Sequence, residues 1–152
     1  PALPPVWTVL EAMTIGQLSR LFSDLHLDHR KMIAAKFSYD ESVLSTWLQS
    51  LTLLRNVCAH HGRLWNASIT AGAPKYAKAI ANEFPPHQDR GRVFARAVVV
   101  QALLAKIDPT SDWKFRFKHL IASLPMTALA KAGRTTADLG LVAGWENHQF
   151  WS

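Results

Sequence analysis

Cysteine is almost missing from this sequence: Cys58 is the single one in 152 residues. One thiol cannot close an internal disulfide, so a stapled secreted domain finds no support and a reducing, cytoplasmic setting is expected. A long hydrophobic run is missing too. The best one, AVVVQALLA over residues 97–105, falls well short of the roughly 20 residues a bilayer span needs and follows Arg96, so it reads as a buried core helix. The opening PALPPVW has no basic region, no signal-like apolar segment and no initiator Met. It reads as entry from a linker, and the chain is expected to be the later portion of a longer protein. Carboxylates are scarce: eleven Asp and Glu face seventeen Lys and Arg, for a net charge of +6. That surplus favours polyanions, nucleic acid first and an acidic membrane surface second. What is present is apolar substance, 49% hydrophobic against 18% charged, which suffices for one sizeable core and excludes disorder. With no internal repeat and no low-complexity tract, a single helical domain over 1–152 is expected.

Helix punctuation is plentiful. Pro4 and Pro5 precede VWTVLEAM, and Thr14 offers an N-cap to IGQLSRLFSDL, whose Ile15, Leu18, Leu21, Phe22 and Leu25 follow helical spacing. Two helices, or one kinked helix, therefore open the chain. Asp28 is expected to cap HRKMIAAKF, and Asp40 or Ser42 to cap a long helix that runs to about His61 and stops at Gly62. Pro74 is expected to open a helix, KYAKAIANEF, that ends before Pro85 and Pro86. Asp89 precedes RGRVFARAVVVQALLAKI, which is apolar almost all round and should lie at the centre of the core. Thr110, Ser111 and Asp112 start WKFRFKHLIASL, and Pro125 separates it from MTALAKAG. The alternation in WKFRFKH also suits a strand, but no partner strand is evident and the cap signal favours helix. The expected fold class is an all-α bundle.

The end of the long helix, LRNVCAHHGRLWN over residues 54–66, concentrates groups that hydrogen-bond or titrate. Val43, Leu44, Trp47, Leu48, Leu51, Leu54, Val57 and Cys58 share one face, which is expected to be core, and Arg55 sits at its edge. At about 100° per residue, Arg55 and His60 lie about 140° apart, so their partnership needs an unwound helix end, a neighbouring helix or a second copy of the chain.

Arg55, Asn56 and His60 in RNVCAH match the R-N-x-x-x-H form found in HEPN-type ribonucleases, and RNVCAHHGRLWN resembles the Abi-like abortive-infection (phage resistance) proteins of that superfamily. The entry LPPVWTVLEAMTIGQLSRLF and the ending ADLGLVAGWENHQFW resemble segments of the same family. The resemblance implies a HEPN-like helical bundle that dimerises so that two motifs face one cleft, and RNA cleavage without metal or other cofactor. His60 would be the acid–base residue, Arg55 the phosphate clamp and Asn56 the group that orients them; His61 and Arg63 are candidates for substrate binding. RNA and a second copy are the implied partners, together with a regulatory N-terminal portion or an antitoxin.

Plainer readings stand beside these. An arginine at the edge of an apolar face can lay its stem over the core, and a histidine near a helix C-terminus interacts favourably with the helix dipole. His61 projects closer to the core face than His60, which suits a structural histidine. Trp65 and Asn66 are expected to fix the loop after the helix. Lys114, Arg116, Lys118 and His119 among Trp113, Phe115 and Phe117 could track nucleic acid, but a helix with an aromatic core side and a solvated basic side explains them as well. Cys58, His60, His61, His26 and His29 are metal-ligand types without the spacing of a closed zinc site. The rival function is a non-catalytic helical adaptor that binds RNA or a protein partner.

Overall fold

The structure, a computed structural model, describes residues 3–152. Among them every regular element is helical and no strand occurs, as the sequence predicts: α1 (Val6–Ala12), α2 (Ile15–Asp24), α3 (Leu27–Lys36), α4 (Glu41–Ala59), α5 (Val93–Ile107), α6 (Trp113–Ala122) and α7 (Met126–Lys131), with short 3₁₀ turns between α4 and α5 and after α7. No helix among these residues is long and apolar enough to cross a membrane.

The most apolar segment becomes the centre. Phe94, Ala95, Ala97, Val98, Val99, Ala102 and Leu103 of α5 are all buried, which is possible only when neighbours cover every side of a helix. α4 packs against α2, α3 and α5. Its Trp47 is fully buried against Tyr39 and Phe84, with ring centroids 4.5 and 6.3 Å away. A second aromatic cluster joins the C-terminal segment to α5 and α6: Trp151 lies 4.8 Å from Trp145, 5.7 Å from Phe94 and 5.6 Å from Phe117.

The two opening helices are separate. Thr14 caps α2 through a reciprocal box in which its hydroxyl accepts the Gln17 amide at 3.3 Å and the Gln17 side chain accepts the Thr14 amide at 2.8 Å. Three boundaries differ from expectation. His26, not Asp28, caps α3: its Nδ1 accepts the Asp28 amide at 3.5 Å, and Asp28 falls in the first turn, where its charge suits the helix dipole. The segment after Pro74 is not an α-helix. Trp47 Nε1 donates to the Lys75 carbonyl at 2.8 Å, and the Lys75 amide donates to Thr46 Oγ1 at 3.1 Å. These bonds strap the segment along α4 with backbone groups that a helix would use internally, leaving a 3₁₀ stretch, Lys78–Glu83, broken at Ile80. Asp89 belongs to a turn of its own, His87–Asp89, and α5 starts at Val93 behind Arg92.

Candidate functional site

α4 has an anchored half and an overhanging half. Val43, Leu44, Trp47 and Ser50 are buried, and Leu48 and Leu51 pack against the same core. From Arg55 the helix leaves that cover: Arg55, Asn56, Cys58, Ala59 and His60 are exposed, while Leu54 and Val57 are half-buried. Cys58 is therefore not a core residue, as its spacing suggested; the apolar face outruns the helices packed on it.

The helix ends in a Schellman turn. The His61 amide donates to the Cys58 carbonyl at 3.0 Å and the Gly62 amide to the Val57 carbonyl at 2.7 Å, with His60 at the C-cap. The stop falls where the sequence predicts, but with a different division of labour. The left-handed position is His61, at φ +53°, which glycine ordinarily fills. Gly62 is required for space: a Cβ there would lie 2.6 Å from Val57 Cγ1 and 2.9 Å from the Val57 carbonyl oxygen. The histidine thus sits in a backbone conformation that costs about 1 kcal/mol relative to glycine. It is exposed, so it does not serve as a satisfied core residue.

Arg55 Nη1 donates to Asn56 Oδ1 at 3.2 Å, which leaves the rest of the guanidinium fork and the Asn56 amide group toward solvent. Among the described residues no side-chain hydrogen bond joins Arg55 or Asn56 to His60, in keeping with their angular separation, and neither Arg55 nor Arg63 is paired with a carboxylate. Between Glu41 and Glu83 the sequence contains no Asp or Glu, while it carries Arg55, Arg63, Lys75 and Lys78. The overhanging turn therefore lies in an acid-free, locally positive stretch, suited to a fork that grips an anion with two parallel hydrogen bonds.

The loop after the turn is held by two arginines that the sequence reading passes over inside α5 and at its start. Arg92 Nη1 donates to the Asn66 carbonyl at 2.9 Å and to Asn66 Oδ1 at 2.5 Å, and Asn66 takes φ +54°. Arg96 is fully buried; it donates to the Gly91 carbonyl at 2.9 Å, the Arg92 carbonyl at 3.3 Å and the Ile69 carbonyl at 2.7 Å. Burial lowers its pKa to about 10, still far enough above neutrality to keep it charged. The available signal was two arginines four residues apart in an apolar run. Asn66 fixes the loop, as its sequence position suggested, and Trp65 is half-buried beside it.

The other candidates resolve simply. Trp113 and Phe117 of α6 pack on the core with ring centroids 5.2 Å apart, Arg116 pairs with Asp112 at 3.0 Å, and Lys114 bonds the Ser152 carbonyl while sitting over the Phe115 ring. Trp113 and Phe117 make the core side of the helix, while the basic residues and the exposed Phe115 lie outside it. Cys58, His60, His61, His26 and His29 do not gather: no group of three or more such side chains able to hold a metal occurs among the described residues. A cavity of about 840 Å³ between α6 and the C-terminal segment, lined by Ile121, Met126, Leu141, Val142 and Trp145, is mainly apolar and contains no residue of the α4 turn.

The model of the Abi-like protein family matches residues 1–66, which span α1 to α4, the whole R-N-x-x-x-H string and the loop as far as Asn66. The match stops short of the closing segment 137–151. No curated protein and no solved structure matches the chain. Over its first 66 residues, the part that builds the exposed Arg55, Asn56 and His60 turn, the chain is similar to the Abi-like proteins, which supports the abortive-infection resemblance.

Proposed function

We propose that this chain is a metal-independent endoribonuclease of phage defence, with a HEPN-like bundle that pairs two copies around one cleft. The observation that carries this reading is the exposed end of α4, where Arg55, Asn56 and His60 stand free of acidic partners inside the segment that matches the Abi-like family. In the reaction, a ribose 2′-hydroxyl attacks the adjacent phosphorus as the bond to the 5′-oxygen breaks. One imidazole takes the 2′ proton and another supplies the proton to the departing 5′-oxygen. A two-fold cleft provides two copies of His60 for these tasks. Arg55 neutralises the charge that gathers on the non-bridging oxygens, and Asn56 holds the guanidinium through the bond already formed. His61 and Arg63 follow on the turn and bind the strand.

The test is incubation with single-stranded RNA in EDTA. The expected products end in 2′,3′-cyclic phosphate and 5′-hydroxyl, and DNA stays intact. His60→Ala should lower the rate by roughly 10²- to 10⁴-fold, and Arg55→Ala should lower it by roughly 10²- to 10³-fold, the range for a lost electrostatic donor. Cleavage that both variants leave unchanged would sink the reading; RNA binding without cleavage would establish the adaptor instead.

A further inference from the structure

We infer that Arg92 and Asn66 form a positioning clamp that sets the loop of residues 61–66, so that loss of the clamp weakens RNA binding without slowing the chemical step; the RNA half of this inference rests on the reading above. Gly62 is the last residue fixed by α4 itself, since its amide bonds the Val57 carbonyl at 2.7 Å, just after the His61 amide has bonded that of Cys58 at 3.0 Å. Everything beyond the Schellman turn depends on what holds the far end of the loop. That end is Asn66, whose carbonyl and side-chain oxygens both accept from the same Arg92 nitrogen, at 2.9 and 2.5 Å.

Arg92 is itself confined. Its side chain is only 25% exposed, with Asp89 Oδ1 3.9 Å from its Nε. Behind it lies Gly140, at φ +80°, where a Cβ would come within 2.6 Å of Arg92 Cβ. The stem of Arg92 is thus backed by the turn at Gly140 while its guanidinium reaches the loop, and Asn66 meets a confined partner. Arg96, one turn further along α5, bonds the Ile69 carbonyl and extends the same fastening to the next stretch of chain. Arg63 lies between the two fixed points, the Schellman turn that holds His61 and Gly62 and the anchored Asn66, so the clamp restricts the paths that its backbone takes and sets how the loop leaves His61.

Asn66→Gly separates the side-chain half of the clamp from the conformation, because glycine keeps the positive φ and the carbonyl acceptor but removes the shorter Oδ1 bond; Asn66→Asp keeps both acceptors. Amide exchange over residues 61–70, the His61 ring resonance, and KM and kcat on single-stranded RNA are measured for both variants and for Arg92→Ala. In Asn66→Gly and Arg92→Ala the loop amides should exchange at least about tenfold faster while α5 amides keep their protection, and KM should rise by about tenfold with kcat nearly unchanged. Asn66→Asp should behave as the native chain. Unchanged loop exchange in Asn66→Gly overturns the clamp, as does a fall in kcat with KM unaltered. If Arg92→Ala unfolds, Asn66→Gly, which removes no buried side chain, decides. Should cleavage prove independent of His60, the cleavage reading fails by itself, and loop exchange still supports or overturns the clamp.

Discussion

At the scale of single residues, His61 is the most informative side chain, because the fold would be better served without it. A left-handed helix end next to a glycine invites glycine in both places, yet His61 takes the strained position with its ring in solvent. His61→Gly should therefore stabilise the chain by about 1 kcal/mol, seen as a higher Tm, while weakening RNA affinity. A variant that gains stability and keeps full affinity would show the imidazole to be idle. Tyr39 and Tyr76 carry a different prediction. Burial raises both phenols above the ordinary value of 10.0, and the Tyr76 hydroxyl donates to the Pro85 carbonyl at 2.6 Å. The folded state holds these protons more tightly than the unfolded one, so their contribution is complete below about pH 10 and is lost as pH rises through the raised values. Arg96 acts oppositely: its lowered pKa means that the folded chain releases that proton first, above about pH 10, which relieves a burial cost. Tyr39→Phe should leave Tm at pH 7 nearly unchanged and flatten its alkaline fall, as a Tm series from pH 7 to 11 would show; an unaltered slope would remove Tyr39 from the account.

At the scale of elements, what was legible in the sequence follows from where the controlling interaction lies. The Thr14 box, the α5 core and the α4 stop depend on residues within one turn of each other, so local pattern reveals them. The strap after Pro74 depends on Trp47 and Thr46, nearly thirty residues away in sequence, and helix propensity gives no warning of it. Cys58 differs from its expected core position for a related reason: spacing says which face is apolar, but not where the covering helices end. A charge inside an apolar helix reads as an interruption in sequence, whereas Arg96 supplies the donors that three loop and helix-end carbonyls need. Arg96→Met should preserve much of the packing yet leave those carbonyls without their partner, costing roughly 2 to 4 kcal/mol. Urea denaturation checks this, and a loss below about 0.5 kcal/mol would mean that the guanidinium is not the fastening it resembles.

At the scale of the whole molecule, the positive charge is unevenly placed. Among the described residues, Arg116, Arg20 and Arg92 each have a carboxylate within 4.0 Å, whereas Arg55 and Arg63, like Arg30, Arg90 and Arg134, have none. Binding to RNA should consequently depend on salt through a few phosphate contacts and not through the full net charge of +6. The slope of log affinity against log salt should fall by about 0.7 when Arg63 becomes Ala, the value for one phosphate contact on a single strand. Removing Lys118 on α6 should leave that slope unchanged. Equal effects of the two substitutions would relocate the RNA to the basic side of α6.

Assembly is the remaining prediction at this scale. Arg55 and His60 diverge on one helix, and no side-chain bond joins them within the described chain, so a single copy offers the phosphate one clamp and one imidazole facing different ways. The proposed two-fold pairing of the exposed α4 ends would bring the motif of each copy to the other and supply both proton-transfer groups. Light scattering should therefore give a dimer mass at working concentrations. A more demanding check mixes native and His60→Ala chains in equal amounts after co-expression. If each cleft needs both imidazoles, only the native pairs are active, and activity per total chain should fall to about one quarter, the random-pairing fraction of native dimers. Independent sites would leave about one half. A value near one half, with a monomer mass by scattering, would place the whole reaction within one copy and overturn the shared cleft.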